Sequence, residues 1–405
     1  MTWLGRIVAQ LGAQTEDGPG EGMAMKPWRD QARDTAAQRQ PSKPGSALVD
    51  FQRMLRGGDA GAALRLFALA TLLPVVLLLL GLLLGGAAAG IALFFITVVI
   101  WLLDRFAARA FPHVPQAEEF PAAEGLQILL GGLHLALLPL MVWALGGGME
   151  IGFWPGIALF AGFALWLGQV SNSNAHELIH RADPRLRALG VALYASIGYG
   201  HHASAHRLVH HRLVATEEDP NTARRGESFY AFALRAWPQE FVAGRQMEDE
   251  LQARLQRRRL HPYLIYLGGA ALAAGVALLL GDLRGLIVWL GLSAHAQIQH
   301  LLSDYVQHYG LERARIAADR YEPVGPQHSW DAPHWASSAL MLNAPRHADH
   351  HAHPARPYLG LELAEGGLRL PYSLPFMASL ALFPPLWFRV MDRRLPPAAP
   401  PLLRL

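Results

Sequence analysis

The sequence predicts an all-α, polytopic membrane protein: six transmembrane helices in three tight hairpins, with a helical, histidine-rich region on one side of the bilayer. Three observations carry this. Apolar residues make up 52% of the chain and are gathered in blocks, while charged residues reach only 17%. The turns between paired blocks are almost free of basic residues, whereas the segments on the other side are rich in them. The 19 histidines fall in groups rather than scattering.

Residues 1–60 are polar, with Gly, Pro, Gln and mixed charge but no helical or strand period, and read as a disordered cytoplasmic tail. They lack an apolar core followed by a small-residue cleavage site, so no secretory signal is expected, and Met23 and Met25 offer alternative starts. From Leu66 to Leu103 there is no charged residue. One span needs about 20 apolar residues, so this block holds two, turning near Gly85-Gly86. A second pair is expected over Gly125–Leu145 and Ile151–Val170, turning at Gly146-Gly147-Gly148. A third runs over Tyr263–Leu280 and Gly285–Leu302, turning at Gly281-Asp282.

The three turns carry one basic residue, Arg284; the opposite segments carry Arg181, Arg185, Arg207, Arg212 and the run 257–259. The positive-inside rule then puts both termini and the hydrophilic segments in the cytoplasm of a bacterial inner membrane. Leu374–Val390 is apolar but broken by Pro384-Pro385, so it is expected to lie at the interface or pack under the site rather than span. The membrane domain is thus expected over 61–395, with a Pro-rich tail over 396–405.

Composition also excludes. The 35 Lys+Arg barely exceed the 32 Asp+Glu, which gives no cationic field for nucleic acid. Cysteine is absent, which removes disulfides, thiolate zinc sites and Cys-ligated iron centres. Any metal is held by nitrogen and oxygen, and any redox chemistry takes its electrons from a separate protein.

The first histidine group is His176-Glu177-Leu178-Ile179-His180, just past the fourth span. Histidines at i and i+4 share a helical face, as two ligands of one ion require. In the second, His206 and His210 share a face and His211 points about 100° away, towards a second ion. In the third, His347, His350 and His351 stand at i, i+3 and i+4 and converge similarly. His308 follows the sixth span alone. One HxxxH on a helix is commonplace and defines nothing; three such groups on one face of a membrane are another matter. Nine imidazoles are too many for one ion and suit two, with iron, copper, nickel and zinc all open. His134, His295 and His300 lie inside spans, where helix packing is as natural a role as function.

His176-Glu177-x-x-His180 also matches the zinc-protease pattern with Glu177 as general base. That site needs one ion and three protein ligands, leaving most of the clustered histidines without a use. A metal transporter needs ligands within the spans, and the expected spans contain no carboxylate.

The set HELIHR (176–181), AHRLVHHRLVATEEDP (205–220), YVQHYGL (305–311) and RHADHHAHPARPY (346–358) resembles the membrane-bound alkane hydroxylases, or alkane 1-monooxygenases. Xylene monooxygenase and, more distantly, the membrane fatty-acid desaturases are related. The resemblance runs from about Gly168 to Leu395 and includes PQHSWDAPHW (326–335) and PPLWFRVMDRRL (384–395). It implies two iron ions held by His176, His180, His206, His210, His211, His308, His347, His350 and His351. It also implies O2 as co-substrate, a rubredoxin or ferredoxin with its reductase as electron source, and hydroxylation of an apolar substrate at a terminal carbon. A lipid desaturase is the nearest alternative. Glu177, Asp219 and Asp349, each beside a ligand or within a matching motif, are candidates to orient the imidazoles. Trp101, Phe94 and Phe95 are candidates to line a channel from the bilayer. Two positions depart from the family: glutamate is usual where Ala205 and Gln307 stand here.

Overall fold

The computed structural model describes residues 58–106, 121–255, 260–317 and 320–397. The polar tail expected over 1–60 and the Pro-rich end lie almost wholly outside this range. Helix α1 (Gly58–Leu84) and α2 (Gly86–Phe106) form the first hairpin. Its turn uses positive φ at both Gly85 and Gly86, a backbone conformation that glycine adopts without steric cost. Gly81 sits so close to the returning limb that a Cβ there would lie 3.0 Å from Ala88 O and Ala89 Cα. The second hairpin pairs α3 (Ala123–Gly148) with α4 (Phe153–Ile179), reversing after Gly147 at φ 115°.

Helix α8 (Pro262–His308) consists of two helical limbs joined at a sharp break in direction. The backbone leaves helical geometry at Gly281 (φ −156°, ψ 24°) and Asp282 (φ 50°, ψ −145°). A Cβ on Gly285 would lie 2.3 Å from the carbonyl oxygen of Ala277, eight residues earlier; in a straight helix eight residues span about 12 Å. The chain therefore doubles back, and the third hairpin turns where the sequence placed it. Among the described residues five helices are long and apolar enough to cross a membrane, and the last of them contributes two limbs, which makes six segments. Outward-facing leucines such as Leu83 (76% exposed) and Leu279 (88%) have no protein partner to cover them, as lipid-facing positions require.

The fourth and sixth limbs run further than expected. α4 continues to Ile179 and so carries His176 itself; α8 ends on His308. Beyond the spans come α5 (Pro184–Ser196), α6 (202–213), α7 (Phe229–Leu255), α9 (Trp335–Leu340) and α10 (His347–Ala352). Two minimal strand pairs interrupt the all-helical layout: β1 (Arg315–Ala317) with β2 (Arg320–Tyr321), antiparallel, and β3 (Trp330–Asp331) with β4 (Leu368–Arg369), parallel. The block 374–390 forms α11 (Leu374–Ala381) and α12 (Pro384–Met391), with Pro384 and Pro385 in the first turn of α12. There proline costs no helical hydrogen bond. Met377 and Trp387 are fully buried against Tyr305 and Tyr309 of the end of α8, so this block supports the site and does not span.

Candidate metal centre

The nine clustered histidines come from α4, α6, α8 and α10 and meet in two groups. One contains His176, His180, His206, His211 and His350; the other contains His210, His308, His347 and His351. Within the first, His206 Nε2 lies 2.8 Å from His176 Nε2 and 2.9 Å from His211 Nε2, and His211 Nε2 lies 3.2 Å from His350 Nε2. Within the second, His347 Nε2 lies 2.9 Å from His308 Nε2 and 3.0 Å from His351 Nε2. Two nitrogens bonded at about 2.1 Å to one ion and roughly at right angles stand about 3.0 Å apart, which is the spacing found. Hydrogen bonding does not explain it, because a nitrogen facing two others has at most one proton to share. His180 Nε2 and His210 Nε2 are buried without a hydrogen-bond partner. Such an orphaned pair is costly unless another partner, such as a metal, takes it.

The protonation states agree. Burial, reinforced by neighbouring imidazoles, holds His180, His206, His211, His347, His350 and His351 well below the ordinary histidine pKa. They are neutral near pH 7, the form that coordinates metal. For His210 burial pulls the same way, but the carboxylate of Asp219 outweighs it and the proton affinity rises.

The partition of the second and third histidine groups differs from the sequence expectation. His206 and His210 do not serve one group, and His350 parts from His347 and His351. The reason lies in the local backbone: residues 206–210 form a π turn within α6. A π turn bonds i to i+5, which brings His206 and His211 onto one side and turns His210 to the other. On α10 the ordinary i, i+4 pair His347 and His351 stays together, and His350 faces the first group.

Of the three carboxylates singled out by sequence, Asp219 reaches a clustered imidazole: its Oδ2 accepts from His210 Nδ1 at 2.8 Å and from Thr222 Oγ1 at 2.7 Å. Glu177 instead accepts from the backbone N–H of Tyr358. Asp349 binds the Arg356 guanidinium, His353 Nδ1 and the backbone N–H of Glu362. Both therefore shape the loop after His351. Three further acids were missed. Asp331, fully buried, accepts from the Ala348 N–H at the start of α10 and from Arg369; its place in PQHSWDAPHW was the available signal. Glu240 on α7 binds His202 Nδ1 at 2.6 Å and Tyr199 Oη at 2.7 Å, and Asp304 accepts from Asn221 at 2.7 Å. Glu240 lies in no motif that spacing could expose; Asp304 stands four residues before His308, which was the available signal.

The two family departures have local explanations. Ala205 packs under α7, where a Cβ on Gly244 would already lie 3.0 Å from Ala205 Cβ, so the position admits little bulk. Gln307 uses its amide as a bridge, accepting from Ser303 and donating to Ala344 O just before the third histidine group. His134 is tied at both ring nitrogens, to Ser171 and Ser196, and is a packing residue.

A cavity of about 490 Å³ reaches both groups, with His176 and His347 in its wall. Trp101 lines it; Phe94 is exposed and Phe95 packs on the core instead. His295 and His300 line it as well.

Six apolar limbs carrying two buried imidazole groups at one end define a multi-pass membrane protein with a histidine-rich, metal-binding centre. The fatty acid desaturase family model matches residues 151–372, more than half of the chain, and these residues contain all nine histidines. The chain is 33% identical to alkane 1-monooxygenase 1 of Alcanivorax borkumensis, over 69% of this chain and 70% of that protein. It is 32% identical to the alkane 1-monooxygenase of Ectopseudomonas oleovorans, over 73% and 77%. The hydroxylase component of a Pseudomonas putida xylene/toluene monooxygenase is 27% identical over 54% and 58%. The chain belongs to the membrane-bound alkane 1-monooxygenase family, within the wider desaturase family, and is an oxidoreductase.

Proposed function

We propose that the chain is a non-haem di-iron monooxygenase that hydroxylates an apolar substrate, an alkane or alkyl chain, at its terminal carbon. The observation that carries this reading is the convergence of nine imidazoles in two groups, with one member of each group, His176 and His347, in the wall of one largely apolar cavity. His176, His180, His206, His211 and His350 would hold one iron; His210, His308, His347 and His351 would hold the other. When bound, the irons supply oxygen activation and the oxidising power to cleave an unactivated C–H bond. One oxygen atom enters that bond and the other leaves as water, with two protons and two electrons consumed. With no cysteine in the chain, a rubredoxin or ferredoxin with its reductase would deliver the electrons.

The protein's own contribution is orientation and exclusion of water. Asp219 fixes the ring of His210 and raises its basicity as a ligand. Asp331 anchors the start of α10, and Glu177 and Asp349 hold the loop that closes over it. The apolar walls between α2, α4 and α8 would admit substrate from the bilayer. Arginines concentrated beyond the spans on the histidine side support a cytoplasmic site in a bacterial inner membrane.

The test is metal analysis of detergent-purified protein, then turnover of decane with O2, NAD(P)H and a rubredoxin or ferredoxin system. Two irons per chain and a primary alcohol support the reading. The desaturase match favours one second reading, lipid desaturation, and an alkene product would establish it. One zinc, no iron and indifference to O2 would return attention to His176-Glu177-x-x-His180 as a hydrolytic site.

A further inference from the structure

A second cavity, of about 800 Å³, shares no lining residue with the one at the histidine groups. It lies among α3, α5, α6, α7 and both limbs of α8, and its wall changes character with depth. Leu138, Val142, Leu272 and Val276 line the part within the spans, and Leu272 is 70% exposed, so the cavity is open to the bilayer there. The end beyond the spans is polar: Arg187 of α5, Ser204 and Arg207 of α6, and Glu248 of α7. Pro262 and Ala277 both line the cavity and stand on one limb of α8; at about 1.5 Å per residue they are about 22 Å apart along the axis. Half a bilayer measures about 15 Å of hydrocarbon and about 5–7 Å of head group. The cavity thus has the depth of one leaflet, with its polar end where a head group lies.

The polar end favours an anion. Arg207 feels the like charge of Arg187, and two guanidiniums at one wall are relieved by a shared phosphate, which their forked donors match. Arg187 spends Nη1 on Arg181 O at 3.2 Å, one of the five N–H donors of a guanidinium. Among the described residues Glu248 is the one carboxylate in the wall, and its Oε1 accepts from Ser204 Oγ at 2.6 Å. Two cations against one anion leave an excess of positive charge.

We propose that this cavity holds one anionic glycerophospholipid of the leaflet on the histidine side, its phosphate against Arg187 and Arg207 and an acyl chain along the groove of α3, α5 and α8. A choline head group would carry its ammonium into the same positive end, so an anionic head group is preferred. The lipid braces α6, since Ala203, Ser204 and Arg207 line the cavity on the helix that bears His206, His210 and His211.

Full-length wild type, Arg187→Gln, Arg187→Lys and Ala192→Trp are reconstituted in nanodiscs of equimolar phosphatidylcholine and phosphatidylglycerol, released into detergent and weighed with their bound lipid by native mass spectrometry. Wild type is expected to retain one phosphatidylglycerol per chain, over phosphatidylcholine by about tenfold, the scale of one hydrogen bond to a charged group. Arg187→Gln is expected to lose most of that preference, and Arg187→Lys, which keeps the charge, to restore part of it. Ala192 is exposed and lines the cavity, so Ala192→Trp obstructs the acyl path and is expected to lower retention of both lipids. Thermal midpoints should be higher in phosphatidylglycerol than in phosphatidylcholine nanodiscs, a difference lost in Arg187→Gln. Equal retention of the two lipids by wild type, or a preference unchanged in Arg187→Gln, would overturn the proposal. So would a midpoint rise reproduced by inorganic phosphate alone, which assigns the arginines to a soluble anion. A paired assembly of chains abolished by Ala192→Trp would give the groove to a second copy and also remove it. Should Arg187→Gln fail to fold, Ala192→Trp decides, and undiminished phosphatidylglycerol there overturns the lipid site. No readout depends on turnover, so the proposal is decided independently of the monooxygenase reading.

Discussion

His210 Nδ1 and Asp219 Oδ2 stand 2.8 Å apart, both side chains almost wholly buried, in a carboxylate–imidazole pair behind one of the two histidine groups. Asp219 is in turn held by Thr222 Oγ1 and by the Asn221 backbone N–H. Removing such a carboxylate typically costs ten- to a hundredfold in metal affinity or activity. Asp219→Ala is expected to weaken metal binding by about that factor, and Asp219→Asn by less, because an amide oxygen still accepts. Competition titration with a chromophoric chelator measures both. Unchanged affinity in Asp219→Ala would show that His210 is oriented by packing alone.

The division into groups of five and four makes a stoichiometric prediction. His347 serves only the smaller group, which would keep three histidines after its loss. His347→Ala is expected to retain about one metal equivalent and lose the other, with activity abolished. Elemental analysis per chain reads this directly, and two equivalents retained in the variant would refute the division.

Gly190 lets α5 lie directly against the helix carrying His176 and His180. A Cβ there would stand 2.8 Å from Leu178 Cβ, 2.9 Å from Ala175 O and 2.9 Å from Ile179 N. Two of these are backbone atoms that cannot swing aside. Gly190→Ala is therefore expected to cost about 1–3 kcal/mol of stability, as overpacking does, and to lower metal content by displacing the first histidine pair. A thermal midpoint and a metal assay on the same sample test both, whereas Gly132→Ala, with open space at its Cβ position, serves as the control.

Acid should destabilise the metal-free protein in a defined window. Six clustered histidines outside the spans are held well below their ordinary value of 6.5 by burial. Below pH 6.5 the unfolded chain takes up protons that the folded chain refuses, so stability falls as pH drops, by up to about 1.4 kcal/mol per pH unit for each group. His210 works in the opposite direction and in another window: Asp219 raises its pKa against the effect of burial, so its contribution grows as pH falls towards 6.5 and is constant below. Thermal midpoints should rise slightly as pH falls to 6.5 and decline below it. A midpoint that rises on acidification below pH 6.5 would mean that the imidazoles are accessible and charged.

Much of this protein was legible in its sequence because the bilayer imposes simple rules. Uncharged blocks of sufficient length must span, glycines must mark tight reversals, and arginine must collect on one side, so all three hairpins and their turns could be placed from residues alone. The nine histidines were equally visible, since clustering at helical spacing is a property of the chain. Which nitrogens meet was not. For the second group that depended on a π turn through His206 to His210, which no 3.6-residue periodicity contains, and it reassigned the partners of His206, His210 and His211. Glu240, Asp304 and Asp331 likewise became part of the centre through contacts made across elements far apart in sequence. The side-chain Oε1 of Gln169, buried in the cavity wall without a hydrogen-bond partner, belongs to the same class. The residue is an ordinary glutamine in sequence, and its isolation comes from an apolar cavity that α2, α4 and α8 enclose together. Local periodicity and solvent preference are written residue by residue, whereas the pairing of polar groups is decided only when helices pack.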